Sequence, residues 1–300
     1  MSERGDLGRP HPGAAPAPPA STGTSPAGRP GLVSDFKSRA LAGFVLALIV
    51  VGLVWAGLQP FALLVLGVGL VMSWEWSHVV RHAGADLAFG VHALSTATAA
   101  VLAAMGFAAL GLAAVLAGAI IIFSLQFGDR PLMSAAGAVY TGVPAISLLW
   151  LRSDMAWGFW AVLFVFAIVV ASDIAAFLCG RTFGGMKLAP SISPNKTWSG
   201  TIGGIAAAAI MAAAFAPLTG SNWMMLAVTG IVLGAIAQAG DLAESALKRS
   251  SGVKDASNLI PGHGGFMDRA DGIVAAAAAA ALYALFVNPA APGQAIMLHL

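Results

Sequence analysis

Between Ala40 and Val287 the chain is a succession of nine apolar runs: roughly Ala40–Leu58, Phe61–Trp76, Leu87–Met105, Phe107–Phe123, Met133–Leu151, Ala156–Cys179, Trp198–Leu218, Trp223–Ala239 and Gly272–Val287. A helix needs about 20 residues to cross the hydrocarbon core of a bilayer. Within lipid each backbone N–H and C=O must be satisfied inside its own segment, so such runs are expected to be helices. Only 9% of the residues are charged, against 58% hydrophobic, whereas soluble domains carry about 25% charged residues. These 28 charged side chains cannot build a water-soluble surface for 300 residues. A soluble globule, a fibrous protein and a disordered chain are excluded. The expectation is an all-α polytopic membrane protein with about nine transmembrane helices. The single cysteine, Cys179, leaves no intramolecular disulfide and no Cys-based zinc site, and a net charge of +2 gives no reason to expect nucleic acid as a partner.

Seven of the sixteen prolines fall in the first 34 residues, with no apolar run among them. Residues 1–34 are therefore expected to be a disordered Pro/Gly/Ala-rich tail. The first apolar run, behind Lys37 and Arg39, is too long for a signal peptide and is expected to stay as an anchor. Residues 35–154 make an N-terminal transmembrane region of about five helices. Residues 155–300 make a C-terminal transmembrane catalytic region with cytoplasmic loops at 180–199 and 241–271. Orientation follows from charge, because basic loops stay in the cytoplasm. With the N-terminus inside, nine spans place fourteen of the fifteen Lys and Arg on the cytoplasmic side, leaving only Arg152 outside. Trp55, Trp74, Trp76, Trp150, Trp157, Trp198 and Trp223 lie near expected span ends, where an indole holds its N–H among headgroups, although simple packing of bulky aromatics explains about a third of them.

Charge is concentrated as well as scarce. Nine of the 28 charges lie between residues 241 and 271. Asp241, Glu244, Ser245 and Lys248 recur at i, i+3, i+4 and i+7, so they share one face if the preceding span continues as helix. The segment Pro261-Gly262-His263-Gly264-Gly265 suits close backbone approach to a ligand, and also suits an ordinary turn. Asp268-Arg269-Ala270-Asp271 then opens the last span with two carboxylates about one turn apart. Hard cations such as Mg²⁺ take one or two carboxylates together with phosphate oxygens and water, so this group reads as metal-assisted phosphate chemistry.

A second polar stretch, Gly180-Arg181 through Lys187 and Ser193-Pro194-Asn195-Lys196-Thr197-Trp198-Ser199-Gly200, precedes the seventh span. It lacks Walker A spacing, and a plain positive-inside loop also explains it. Asp173 lies within the sixth span, where a carboxylate is either functional or close enough to the interface to be hydrated. Glu75, between Trp74 and Trp76, is ambiguous: an interfacial position is expected, with a functional role as the alternative. His78, His82 and His92 have no metal-ligand spacing and are expected at surface or interfacial positions. The run Ala275–Ala281 is expected to be a closely packed helix face.

These residues resemble a known family. Ser245…Lys248-Arg249…Lys254-Asp255…Ser257…Ile260-Pro261-Gly262-His263-Gly264-Gly265…Asp268-Arg269-Ala270-Asp271 is similar to the C-terminal signature of the phosphatidate cytidylyltransferases, or CDP-diacylglycerol synthases. The likeness extends upstream through Asp173, Gly180-Arg181, Gly184, Lys187, Pro190, Ser193-Pro194, Lys196-Thr197-Trp198 and Gly200. It covers roughly residues 155–287, and the first five spans match only in hydrophobicity. Ala270 stands where the family usually has a larger apolar residue, and Phe177 where tyrosine is common.

The resemblance implies condensation of CTP with phosphatidate to CDP-diacylglycerol and pyrophosphate in phospholipid biosynthesis. It also implies a divalent metal, Mg²⁺ or Mn²⁺, with K⁺ as a further cation of the family's site. Asp241 and Asp268 match the metal-holding carboxylates, and Asp271 is a third candidate. Lys248, Arg249, Lys254 and Arg269 are expected to neutralise phosphate charge, with His263 as a hydrogen-bond donor that organises the Gly loop. Arg181, Ser193, Lys196, Thr197, Ser245, Gly264 and Gly265 are the expected substrate contacts. The expected place is the cell (inner) membrane, multi-pass, with the N-terminus and active site cytoplasmic, and a homodimer fits the resemblance. Two other readings stand beside this one: a CTP-dependent polyprenol or phytol kinase, and a membrane transporter, whose charges usually gather nearer the midplane.

Overall fold

In the computed structural model, residues 32–257, 259 and 264–299 are described, with side chains described from Gly43 onward. The tail up to residue 31 lies outside the described residues. The helices are α1 (Leu32–Ala56), α2 (Leu58–Arg81), α3 (Leu87–Ala104), α4 (Ala108–Leu125), α5 (Pro131–Ser153), α6 (Gly158–Phe183), α7 (Trp198–Ala213), α8 (Ala216–Thr219), α9 (Trp223–Ser250), α10 (Met267–Val287) and α11 (Pro292–Leu298). Each apolar run of the sequence falls on one helix, the seventh on α7 and α8 together. Among the described residues, eight stretches are long and apolar enough to cross a membrane: α2 to α6, α7 with α8, α9 and α10. The shorter apolar part of α1 is Gly43–Ala56. The chain is a multi-pass, all-α membrane protein. One departure from pure helix is a hairpin of β1 (Lys187–Ala189) and β2 (Ser193–Thr197), paired antiparallel with Lys187 opposite Thr197 and Ala189 opposite Ser193.

Several helices run past their apolar stretch at one end. α2 continues to Arg81, α6 to Phe183 and α9 to Ser250, and α10 begins five residues before Gly272. These polar extensions meet one another and the hairpin.

Lipid offers no hydrophobic drive for one helix to join another, so packing depends on small residues that let backbones approach. α6 and α7 touch through Gly200, where a Cβ would lie 2.7 Å from the Ala176 carbonyl oxygen. α7 and α9 meet where Gly230 and Gly234 face Ala208. α2 to α5 form one packed group, α6, α7 and α9 another, and α10 lies against both. Ala276, Ala277 and Ala280 of α10 are fully buried, as the alanine run suggests.

The first group holds a buried chain of neutral polar side chains. Ser73 Oγ donates to the Gly69 carbonyl at 2.8 Å, Thr96 and Thr141 hydroxyls are 2.9 Å apart, and His92 Nε2 lies 2.8 Å from Thr141 Oγ1. His92 is fully buried, not interfacial as the sequence reading has it; its partner comes from α5, 49 residues away. Trp76 also departs from the interfacial reading. It is 4% exposed, donates Nε1–H to the Met133 carbonyl at 3.0 Å and lies against the Tyr140 ring at 5.0 Å. Its N–H is satisfied by backbone and not by headgroups. His78 and His82 are exposed.

Candidate active site

α9 stays helical through the change from apolar to charged sequence, so Asp241, Glu244, Ser245 and Lys248 project from one face. Lys248 Nζ lies 3.0 Å from Glu244 Oε1, and Ser245 Oγ 3.5 Å from Asp241 Oδ1. The tight turn of the hairpin then brings in Lys196, whose Nζ is 2.5 Å from Asp241 Oδ2. Lys196 is firmly placed because the next residue, Thr197, caps α7. Its Oγ1 accepts the Gly200 N–H at 3.1 Å, and Ser199 donates to the Gly184 carbonyl. Gly184 and Gly185 take positive φ (59° and 99°), the left-handed region that glycine enters without steric cost, as the chain leaves α6. Two polar stretches that are separate in sequence therefore join at one ion pair.

α10 adds the remaining carboxylates. Asp268 accepts from Lys248 Nζ at 2.5 Å, from the Gly265 N–H at 2.9 Å and from the Ala256 N–H at 3.0 Å. Asp271 adjoins Asp241 and Glu244 and accepts its neighbour's Gly272 N–H at 2.7 Å. The approach of α9 to α10 depends on Gly240, where a Cβ would sit 3.0 Å from the Asp271 carbonyl oxygen. Asp173 of α6 lies in the field of both Asp241 and Lys196, with its side chain open at the bundle surface. Tyr140 reaches in from α5, its hydroxyl 3.4 Å from Glu244 Oε2.

Five carboxyl groups (Asp173, Asp241, Glu244, Asp268, Asp271) thus face two ammonium groups (Lys196, Lys248), a formal charge of −3 with all groups ionised. Among the described residues, no three Asp, Glu, His or Cys side chains are already drawn to metal-ligand spacing. A Mg²⁺-type cation does not require that, since it keeps several waters and binds through one or two carboxylates plus substrate phosphate. Asp241 and Asp271, on adjoining helices with excess negative charge around them, fit such an ion. Asp268 differs in that both its oxygens already engage Lys248 and backbone N–H groups.

The other expected site residues are distributed around this centre. Arg249 is exposed and turned toward the hairpin and its own loop, donating to the carbonyls of Ile192 at 3.4 Å and Val253 at 3.3 Å. Arg181 and Arg269 are exposed, Ser193 is half-buried in β2, and Thr197 is buried as the cap of α7. Gly264 takes φ 80°, and a Cβ there would lie 3.0 Å from Asp268 Oδ2. Lys254 lines a cavity of about 550 Å³ with Trp74, His78, His82, Asp255 and Ser257. His263 lies outside the described residues. Phe177 is exposed, and Ala270 packs against the Trp76–Met267 cluster.

One neighbour of this centre is singled out in the sequence, but its partners are not. Glu75 is fully buried, and its carboxylate accepts from the Phe266 N–H at 2.9 Å, the Met267 N–H at 2.6 Å and the Ser257 hydroxyl at 2.6 Å. The available signal was a carboxylate flanked by two tryptophans within an apolar run, and it does not reveal partners some 190 residues away.

The profile of the Cytidylyltransferase family matches residues 37–287. A protein of Brucella suis biovar 1 named phosphatidate cytidylyltransferase is 40% identical over 265 residues, covering 87% of this chain and 97% of that protein. A Brucella abortus biovar 1 protein of the same name is 40% identical over 262 residues, 86% of this chain and 96% of its own. A Haemophilus influenzae protein, also so named, is 40% identical over 162 residues, 50% of this chain and 56% of its own.

Proposed function

This chain belongs to the cytidylyltransferase family, and on that premise we propose that it condenses CTP with phosphatidate, giving CDP-diacylglycerol and pyrophosphate. The observation that carries the reading is the Lys196–Asp241 ion pair. It closes the hairpin onto α9 and gathers carboxylates and ammonium groups at one end of a membrane bundle, where a soluble triphosphate and a lipid phosphate can meet. The positive-inside asymmetry argues that this end faces the cytoplasm, with the protein in the cell membrane.

The phosphate monoester of phosphatidate is already an anion at neutral pH, so its oxygen needs no strong base. The obstacle is repulsion between it and the triphosphate, and catalysis is therefore mostly positioning and charge neutralisation. The lipid oxygen forms a bond to the α-phosphorus of CTP as the bond from that phosphorus to the α–β bridging oxygen breaks. Pyrophosphate leaves with the electron pair. Lys196 and Lys248, each fixed by a carboxylate, present compact positive charge to the phosphates. Asp241 and Asp271, with Asp268 beside them, would hold Mg²⁺ or Mn²⁺, which supplies Lewis-acid charge to phosphate oxygens; K⁺ would be a further cation here. Arg249, Lys254 and Arg269 at the rim attract CTP from solution. The open side of Asp173 marks where a lipid headgroup can approach while its acyl chains stay in the bilayer.

The test is purified protein in mixed micelles with phosphatidate, Mg²⁺ and CTP labelled at the α- or the γ-phosphate. Label from the α-position is expected in the lipid. Lipid labelled from the γ-position would mean a CTP-dependent kinase, and no label from either position would remove the enzyme reading.

A further inference from the structure

We infer that Glu75 is a positioning residue for the reaction: from α2, some 190 residues before its partners, it holds the segment that presents Asp268. α10 begins at Met267 with Phe266 as its N-cap, and Phe266 has no side-chain acceptor for the first N–H groups of the helix. Such orphan donors must be satisfied when buried. Glu75 does so from outside the helix, one oxygen on the Phe266 N–H and the other on the Met267 N–H. Its negative charge also lies at the positive end of the α10 dipole.

Asp268 completes the arrangement from the opposite side. It accepts the Gly265 N–H and the Ala256 N–H, while Glu75 accepts the next two N–H groups along the chain and the hydroxyl of Ser257. Two carboxylates thus clamp two chain segments, 256–257 and 265–267. The clamp has no slack at Gly265, where a Cβ would fall onto the Glu75 carboxylate and within 3.0 Å of Ser257 Oγ. On the other flank, Trp76 ties the same turn of α2 to α5 through the Met133 carbonyl. Glu75 therefore cannot move without displacing the start of α10, and with it the Lys248–Asp268 pair.

The decisive variant is Glu75→Gln, which keeps the volume but sets an NH₂ group against at least one of the N–H or O–H donors. Two readouts are taken in micelles, hydrogen exchange of the 264–268 amides and steady-state kinetics. Exchange in that segment is expected to quicken about tenfold or more while the α3–α5 amides stay protected. kcat is expected to fall about 100-fold, the cost of a roughly 1 Å misplacement, with KM for CTP within about threefold of wild type. Gly265→Ala, which pushes on the same carboxylate from the other side, is expected to give the same pattern. The double variant is expected to lose little beyond either single one, as for two changes to one contact.

Unchanged exchange across 264–268 would overturn the inference, and so would a drop in thermal stability with kcat per folded molecule intact. The kinetic arm rests on the cytidylyl-transfer reading and the exchange arm does not. If wild type moves no α-label into lipid, that reading fails while exchange still decides the role of Glu75.

Discussion

The molecule contains two buried polar assemblies built on opposite principles. Ser73, His92, Thr96 and Thr141, between α2, α3 and α5, are fully or almost fully buried; Thr141 lies 2.8 Å from His92 and 2.9 Å from Thr96, and Ser73 reaches Thr96 at 3.4 Å. Lys196, Asp241, Glu244, Lys248, Asp268 and Asp271 are ionisable, mostly half-buried, and set four carboxyl groups against two ammonium groups. The first pairs most of its polar atoms where lipid offers no water, His92 Nδ1 excepted, and gains modest packing energy. The second keeps like charges close together, which costs stability unless a ligand compensates them. An assembly whose polar groups mostly pair with one another supports a fold, whereas one with more carboxyl than ammonium groups is organised for something that binds.

The largest expected effect tests the second assembly. Asp271→Asn or Asp268→Asn should leave the protein inserted but reduce kcat on the order of 1,000-fold, the scale of losing a group that stabilises transition-state charge. For Asp271→Asn the melting temperature in micelles should hold or rise, because repulsion with Asp241 and Glu244 is relieved. A lowered melting temperature with kcat retained would make Asp271 structural and would erase the contrast. A smaller effect of opposite kind is expected at His92→Ala, where stability should fall by about 1 kcal/mol, as for interhelical hydrogen bonds in bundles, with kcat within about twofold.

The smallest effect is at Asp86, in the turn between α2 and α3. Partial burial opposes its ionisation, yet the Phe89 N–H and the Arg81 guanidinium outweigh this and hold its carboxyl below the ordinary 3.8. A depressed native pKa adds stability that is present above the unfolded value and is lost as pH falls through the native one. Acid titration of stability should therefore be slightly shallower below about pH 4 for Asp86→Asn than for wild type. Coincident curves would mean that the pair contributes nothing.

The sequence legibly contained the helices and the shared face of α9, because lipid-spanning helices and i, i+4 neighbours are properties of local periodicity. It also marked Asp241, Lys248, Asp268 and Asp271, through concentration of charge in a chain that has little. The hairpin was not visible, since strands of three and five residues, largely polar, show no alternation that distinguishes them from a loop. Nor was the Lys196–Asp241 contact, which depends on how α6, α7 and α9 pack through glycine. His92 and Glu75 were misplaced for the same reason. Whether a polar residue in an apolar run faces headgroups or a partner depends on the opposite helix, and the partners of these two are 49 and about 190 residues away.

The central claim is that the hairpin and α9 form one reacting centre through Lys196 and Asp241. Its most direct test is a double-mutant cycle on transfer of α-label from CTP to lipid, using Lys196→Met, Asp241→Asn and the combined variant. Each single change should cost about 100-fold or more, and the pair should cost no more than about threefold beyond the worse single variant, because residues that act as a unit are strongly non-additive. Losses that simply multiply, or near-normal transfer by either single variant, would contradict the account.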